Sequence, residues 1–174
     1  MSTQEIVPEV FTADYVGEPG HRTFYLQIRT ASATSTLLAE KEQVAVLADK
    51  LRELLVLVDS TDTVLASTPA RDPALALSSP IEPDWRVGAM GLAYEEDADR
   101  ILIVVQQASG EEEEEEEIDE AGVRVAVRRD QARAFVLHAL AVVAEGRPLC
   151  QLCGLPIDPS GHMCPASNGH RSLG

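Results

Sequence analysis

Cysteine is scarce in this chain and confined to its C-terminal end. The 174 residues contain three cysteines, Cys150, Cys153 and Cys164. Three is an odd number, and cysteines crowded into one short segment are a poor framework for the disulfides that staple secreted domains. The pattern instead suits a metal site in a reducing compartment, so we expect a cytoplasmic protein.

Aromatic and basic residues are also few. Aromatic residues make up 4% of the chain, so a core must be built mainly from leucine, valine, isoleucine and alanine. Lysine and arginine number 14 against 29 aspartates and glutamates, and the formal net charge is −15. Such a field repels phosphate backbones and anionic lipid headgroups and favours a basic protein partner over nucleic acid. Seven glutamates at residues 111–117 are interpreted as a solvated loop, because contiguous like charges repel.

Long apolar runs are missing as well. Residues 101–105 form an apolar run of strand length, far below the ~20 residues that a membrane-spanning helix needs. The N-terminus carries Glu5 and Glu9 and no basic segment ahead of an apolar core, so it does not match a secretory signal. We expect no membrane span.

Two parts of the chain repeat a pattern. An arginine followed by an apolar run occurs at Arg22 and again at Arg100, which sets an offset of 78 in residue number. Carried backwards without a gap, this offset places residues 11–17 on 89–95, so each half is predicted to begin with a β-hairpin.

A second match follows at an offset of 88, where residues 41–43 correspond to residues 129–131. The increase between the two offsets fits an insertion in the acidic segment 110–120. Third strands are predicted just before this match, at residues 35–40 and 123–128. Amphipathic helices are predicted just after it, at residues 44–58 and 132–146.

These matches predict an α+β fold built as an internal duplication, βββα–βββα, with pseudo-two-fold packing. The reason is that neither repeat can bury its sheet face and helix stripe alone. The first repeat spans residues 1–59 and the second spans 85–147, with the acidic loop at 110–120. Residues 60–84 hold four prolines and are predicted as a linker, and residues 148–174 form a tail.

The tail predicts a small zinc knuckle. Cys150 and Cys153 are separated by two residues, so both thiolates can reach one ion from a tight turn. His162 and Cys164 supply the second ligand pair, because residues two apart in an extended segment face the same side. His170 competes with His162 as the fourth ligand. Three free thiols and a redox Cys-x-x-Cys pair are the alternatives to metal binding.

Zinc in such a site would be structural. Four protein ligands close the coordination shell, whereas catalytic zinc keeps a position open for water. The sequence also has no glycine-rich phosphate loop and no nucleophile elbow. Among other polar residues, His138 falls at the position of Lys50, opposite the apolar helix stripe, and is predicted at the surface. Trp85 is predicted to be a hydrophobic anchor.

Three motifs together resemble a known family. They are the Phe-Tyr-Leu-Gln strand at 24–27, the Lys-Glu-Gln-Val helix start at 41–44, and a tail with Cys-Gln-Leu-Cys-Gly, Gly-His-Met-Cys-Pro and Asn-Gly-His-Arg. This combination resembles an actinobacterial domain-of-unknown-function family often labelled only "repeat protein". The resemblance covers nearly the whole chain except the glutamate run and the linker. It implies no established activity.

The sequence favours a non-catalytic, zinc-containing protein-interaction module. One alternative is a single-stranded nucleic-acid-binding protein, because tandem strand-rich repeats ending in a helix resemble the Pur-alpha and whirly folds in topology. Its binding residues would be four arginines and two stacking aromatics, namely Arg22, Arg100, Arg128, Arg129, Tyr25 and Trp85. A second alternative is an enzyme with a pocket between the repeats.

Overall fold

The computed structural model describes residues 4–18, 20–109 and 122–145, together with Leu152. The chain divides into two compact units, Met1–Val143 and Ala144–Gly174. The predicted zinc ligands lie outside the described residues, and the fold below is that of the first unit, with α2 ending one residue beyond it.

Seven strands and two α-helices form most of the described part of the chain, so the predicted α+β class is confirmed. The first half contributes four strands and a helix: β1 (Gln4–Ile6), β2 (Val10–Val16), β3 (Thr23–Arg29), β4 (Thr34–Ala39) and α1 (Lys41–Val58). The second half contributes three strands and a helix: β5 (Trp85–Glu95), β6 (Arg100–Gln107), β7 (Gly122–Val127) and α2 (Arg129–Ala144).

All seven strands belong to one sheet, in the order β1-β7-β6-β5-β4-β3-β2. Its two outermost strands, β1 and β2, are consecutive in the chain and joined by residues 7–9. In a flat sheet these strands would lie six spacings apart, about 29 Å, whereas four peptide steps reach about 14 Å. The sheet must therefore curl until its edges approach, as the wall of a barrel does.

The halves are joined by short parallel pairings. β4 pairs with β5 at Leu37–Trp85 and Leu38–Arg86, and β7 pairs with β1 over three residues. Every other neighbouring pair of strands is antiparallel. The sheet thus consists of two antiparallel sets, β2–β3–β4 and β5–β6–β7, which meet at the parallel β4–β5 seam, while β1 adds to β7 in parallel.

The core lies between one face of the curled sheet and the two helices. Alternate residues of the strands face it, since side chains alternate across a strand. The strand residues in the core include Phe11, Ala13, Leu26, Ile28, Leu37, Ile101, Ile103, Val105 and Val125. The helix residues include Val44, Leu47, Leu51, Leu55, Ala132, Phe135, Val136, Ala139 and Val142. Both helix stripes match the spacing predicted from sequence.

The strands do not face the core in the way that an offset of 78 predicts. Leu26 of β3 lies in the core, whereas Val104, 78 residues on, lies between the core residues Ile103 and Val105 of β6 and outside the core cluster. Phe11 of β2 lies in the core, whereas Ala89, 78 residues on, is exposed. An offset of 78 would turn each strand over, since a slip of one residue exchanges its two faces.

The third residue of each helix is a glutamine, and the two glutamines make hydrogen bonds of the same kind. The Oε1 of Gln43 accepts the N–H of Glu40 at 2.9 Å, and its Nε2 donates to the carbonyls of Val87 and Gly88. The Oε1 of Gln131 accepts the N–H of Arg128 at 3.0 Å, and its Nε2 donates to the carbonyls of Pro8 and Glu9. The two glutamines are related by an offset of 88, and their carbonyl partners by an offset of 79.

No helix in the described residues is long and apolar enough to cross a membrane. Residues 60–84, predicted as a linker, contain one 3-10 turn, Pro73–Leu75, and otherwise run without regular structure. This segment packs against the rest of the first unit, through contacts that the sequence does not predict.

Candidate functional site

Residues 62–78, called the strap from here on, run along α2 and then across the outer face of the first half. At its start, the Asp62 carboxylate receives two hydrogen bonds from Arg133, at 3.1 and 2.8 Å. The bond from Arg133 is the main reason that the pKa of Asp62 is lowered. Further along, the N–H of Ala70 donates to the carbonyl of Leu137 at 3.2 Å. The strap is thus bound to the side of α2 that faces away from the core.

A buried polar network holds the strap at its middle. His138 and Asp14 are 1% and 4% exposed, and the His138 Nε2 lies 3.1 Å from Asp14 Oδ2. The N–H of Asp72 donates to His138 Nδ1 at 3.0 Å. Since a backbone N–H can only donate, Nδ1 carries no proton, and Nε2 must carry it and donate to Asp14.

Asp14 also receives bonds from the strap and from its own strand. The guanidinium of Arg71 lies 2.7 Å from Asp14 Oδ1, and the N–H of Tyr15 donates to the same oxygen at 2.8 Å. Burial by itself would raise the pKa of Asp14, but bonds from His138 and Tyr15 and the charge of Arg71 together lower it. The carboxylate is therefore held in its charged form.

This network holds the strap against α2 and β2. Both ring nitrogens of His138 are occupied, one by Asp14 and one by the backbone of Asp72. The prediction that His138 lies at the surface, made from its correspondence to Lys50 of the first helix, is wrong. The strap covers this side of α2, and the sequence pattern of the helix alone carries no sign of that cover.

A row of polar side chains fastens the rest of the strap. Thr12, Gln27 and Thr36 are cross-strand neighbours on the face of the sheet away from the core, and all three are buried. The Thr12 hydroxyl donates to the carbonyl of Leu75 at 2.5 Å. Gln27 donates to the carbonyl of Ser78 at 3.0 Å and accepts its N–H at 2.8 Å. The strap backbone thus forms with side chains the hydrogen bonds that a β-strand would form with the backbone of a neighbouring strand.

Arg29 completes this row at the edge of the strap. Its guanidinium donates to the carbonyls of Ala74 and Ala76 and to the hydroxyl of Ser78. The 3-10 turn also places Leu75 in a buried position, 8% exposed, against β2. The strap is therefore held by one buried apolar side chain, that of Leu75, and by hydrogen bonds to the backbone on either side of it.

The second candidate site is a groove between α1 and β5, which no segment of the described residues covers. It has a volume of about 530 Å³ and is lined mainly by apolar atoms. On α1 the lining residues include Val46, Leu47 and Lys50, and on β5 they include Met90, Gly91 and Leu92. Val46 is 54% exposed, and a Cβ added to Gly91 would meet no atom within 4 Å. This α1–β5 groove is thus open at its centre.

The concave surface continues toward the C-terminal end of α1. There Leu54, Leu57 and Tyr94 line a second cavity of about 660 Å³. Leu57 is 82% exposed, the highest value among the exposed large apolar side chains of the described residues. Val46, Lys50, Leu54 and Leu57 lie one turn or so apart and form one stripe on α1.

Arg129 forms the polar boundary of this second cavity. Its guanidinium lies 2.7 Å from Asp99 and 3.5 Å from Asp59, and it also donates to the Tyr94 hydroxyl. Bonds from Tyr94 and then from Arg129 lower the pKa of Asp99. The cluster ties the start of α2 to the β5–β6 turn and to the end of α1.

Of the residues expected to bind nucleic acid, three arginines and Trp85 make contacts within the fold. Arg129 is paired as above, and Arg128 is paired with Asp130 at 3.0 Å. Arg22 stacks over the Tyr15 ring, with its Cζ 4.3 Å from the ring centre. Trp85 is partly buried against the core, as expected of a hydrophobic anchor. These contacts leave the three arginines engaged within the fold.

The four predicted zinc ligands, Cys150, Cys153, His162 and Cys164, and the competing His170 lie outside the described residues. Within the residues that are described, no group of three or more histidines, cysteines, aspartates or glutamates could hold a metal ion. The prediction of a zinc knuckle therefore stays a prediction.

The fold and its two sites define an α+β protein with a curled sheet, a fastened strap and an open helix–strand groove. The chain belongs to DUF3090, a protein family of unknown function, whose model matches residues 6–164. No curated protein and no solved structure matches the chain. The expected resemblance to a family of unknown function is thus confirmed, and the family itself names no activity.

Proposed function

We propose that the chain is a non-catalytic protein-interaction module whose α1–β5 groove receives an extended segment of a partner protein. A single observation carries the proposal. The side of α2 that faces β2 is covered by the strap, whereas no part of the chain that the structure describes covers the corresponding side of α1, which faces β5. Monomeric proteins seldom leave a concave apolar surface uncovered unless something binds there.

The correspondence between the two grooves rests on the contacts of the two helix-starting glutamines. The offset of 88 between Gln43 and Gln131 places Lys50 of α1 on His138 of α2. In β5, beyond a bulge between Val87 and Met90, Gly91 lies between Met90 and Leu92, which pack on the core, as Thr12 of β2 lies between the core residues Phe11 and Ala13. Positions that hold the strap in one half are therefore the positions that line the open groove in the other.

Charge narrows the choice of partner. The chain is strongly acidic, with 29 acidic against 14 basic residues, and it would still carry a net charge of about −8 without its glutamate run. Opposite charge speeds encounter between proteins and suppresses wrong partners. A basic protein is accordingly the expected source of the segment.

We propose further that the fold is an internal duplication of a βββα unit. Three strands followed by a helix occur in β2–α1 and again in β5–α2, and each helix begins with the same glutamine arrangement. The two parallel seams, β4 with β5 and β7 with β1, also correspond when β1 and β2 together are matched to the longer β5. The duplication supplies two similar grooves, of which one is closed by the strap.

The tail is proposed to bind one structural zinc ion through Cys150, Cys153, His162 and Cys164. Three thiolates and one imidazole are a donor set that suits tetrahedral zinc. A reducing cytoplasmic compartment would keep the thiols available for the metal. In this proposal the zinc orders the tail and takes no part in chemistry.

The groove proposal is tested by photo-crosslinking in cells. A benzophenone amino acid placed at Val46 should form a discrete crosslinked product, because that side chain lies at the mouth of the groove. The same group at Leu65, which is 64% exposed but lies on the strap, is the matched control. The product should disappear when Gly91→Leu fills the groove. Equal products from both positions, or persistence with Gly91→Leu, would contradict the proposal.

A further inference from the structure

We infer that the partner segment carries a bulky apolar side chain that fills the space above Gly91 and a hydrogen-bond acceptor that meets Lys50. This inference rests on the proposed function, because it specifies what the α1–β5 groove accepts. The template is the strap, which occupies the corresponding groove of the other half.

The first element is the apolar anchor. In the strap, Leu75 is buried against β2, and its carbonyl accepts the Thr12 hydroxyl. The residue of β5 that corresponds to Thr12 is Gly91, which is exposed and has no side chain, and a Cβ placed there would meet no atom within 4 Å. The groove therefore has more room than the strap site and lacks the hydroxyl. A side chain at least as large as leucine is needed to fill it.

The second element is the polarity of the contact near the helix. His138 takes a backbone N–H from the strap through an unprotonated ring nitrogen. Its counterpart Lys50 carries an ammonium group, which has three N–H donors and no acceptor. One of these N–H groups is directed at Glu53, at 3.5 Å, in an exposed pair. A segment bound here must present a carbonyl or carboxylate oxygen where the strap presents an N–H.

The third element is length. Val46 and Leu57, the ends of the α1 stripe, are eleven residues apart, which is about 16 Å along a helix. An extended chain covers that distance in about five residues. A short linear segment is thus sufficient to fill the groove, and a folded partner domain is not required.

The test uses three synthetic peptides with the sequence of residues 68–78 and the change Arg71→Glu, which supplies a carboxylate for Lys50: this parent peptide, its Leu75→Phe form and its Leu75→Ala form. Each is titrated into the full-length ¹⁵N-labelled protein while the amide signals of Val46, Gly91 and Leu92 are followed. We expect the phenylalanine peptide to bind most tightly and the alanine peptide about tenfold more weakly than the parent. Protein variant Gly91→Leu should lose at least about tenfold in affinity for the phenylalanine peptide.

Variants of Lys50 test the polar contact. Lys50→Met removes the donors and should weaken binding severalfold, whereas Lys50→Gln keeps an N–H₂ donor and should restore part of it. Leu65→Glu, on the strap, is the control and should change nothing. The inference would be overturned if the peptides shifted only the amide signals of Thr12 and His138, which mark the strap site, or if the three peptides bound with equal affinity.

The two proposals can fail separately. If crosslinking from Val46 depends on an open groove but no peptide shifts Gly91, the groove binds a partner and the inferred chemistry of the segment is wrong. If neither crosslinks nor peptide shifts arise from the groove, the proposed function fails as well.

Discussion

Phe11 of β2 and Phe135 of α2 stack with their ring centres 4.7 Å apart and their planes at 20°. The two residues come from opposite ends of the first unit, so this stack joins its halves. In the proposed duplication the corresponding positions are Met90 and Leu47, which line the α1–β5 groove. There, two aromatic rings would be replaced by two smaller aliphatic side chains.

The first prediction concerns this stack. Phe135→Ala should lower the free energy of unfolding by about 3–5 kcal/mol, because it removes a fully buried ring and leaves a cavity. Phe135→Leu, the residue found at position 47, should cost less because it keeps most of the volume. Urea unfolding measures both. Leu57→Ala, at an exposed position, should change stability by less than about 0.5 kcal/mol. If Leu57→Ala lowered the free energy of unfolding as much as Phe135→Ala does, the stacked rings would not be a particular source of stability.

The second prediction concerns Asp14 and pH. Its pKa is lowered in the folded state from the ordinary value of 3.8, so the unfolded chain takes up the proton first as pH falls. The stability that this carboxylate contributes is fully present above its ordinary pKa and is lost as pH falls through its lowered one. Asp14→Asn should therefore flatten the acid loss of stability between about pH 5 and pH 2.

Paired unfolding measurements on the wild type and Asp14→Asn across that range isolate this contribution, since the other aspartates are unchanged. Asp97→Asn, an exposed change in the β5–β6 turn, is the control and should leave the slope as it is. Parallel stability curves for the wild type and Asp14→Asn would contradict the prediction.

The third prediction concerns the fastening of the strap. His138→Phe keeps a ring but removes both hydrogen bonds, which leaves the Asp72 N–H and one Asp14 oxygen without their partner. Each buried polar group that loses its partner costs about 1–3 kcal/mol. We expect faster cleavage by trypsin after Arg71 and faster hydrogen exchange of the Asp72 amide. His21→Phe, at an exposed turn, should leave both rates unchanged. Unaltered rates in His138→Phe would mean that the strap is held elsewhere.

The elements of this fold were predictable from sequence because each has a local pattern. Apolar spacing predicted both helices, and short apolar runs predicted three strands in each half but not the short β1. The facing of β3 and β6 was not predictable in the same way. Leu26 and its neighbours form nearly continuous apolar runs, so an offset of 78 fits the residue types as well as one of 77, which would pair core residue with core residue. Only pairing to a third strand settles which face is buried.

The strap and its network could not be predicted, for a different reason. His138 lies 124 residues from Asp14 and 66 from Asp72, and no local pattern links residues so far apart. The segment 60–84 has the composition of a loop, and its backbone is satisfied by side chains such as Gln27. Composition predicted correctly that it has little regular structure, and could not predict what it covers.

The fourth prediction concerns the proposed zinc ion. Purified protein should contain one zinc per chain, held by Cys150, Cys153, His162 and Cys164 with Zn–S distances near ~2.3 Å. A proline-containing segment this short cannot bury enough apolar surface to order itself, so metal binding should order it. The first unit has its own core, from Phe11 to Val143, and should stay folded without metal.

Chelation should therefore increase proteolysis beyond about residue 146 while leaving the far-ultraviolet circular dichroism nearly unchanged. Metal content is the decisive measurement, because well under one zinc per chain, with no uptake on reconstitution, would refute the site. Two variants then identify the fourth ligand. His162→Ala should lose the metal and His170→Ala should retain it. The reverse result would keep the zinc site and transfer the fourth position to His170, whose imidazole can supply the same donor atom from farther along the chain.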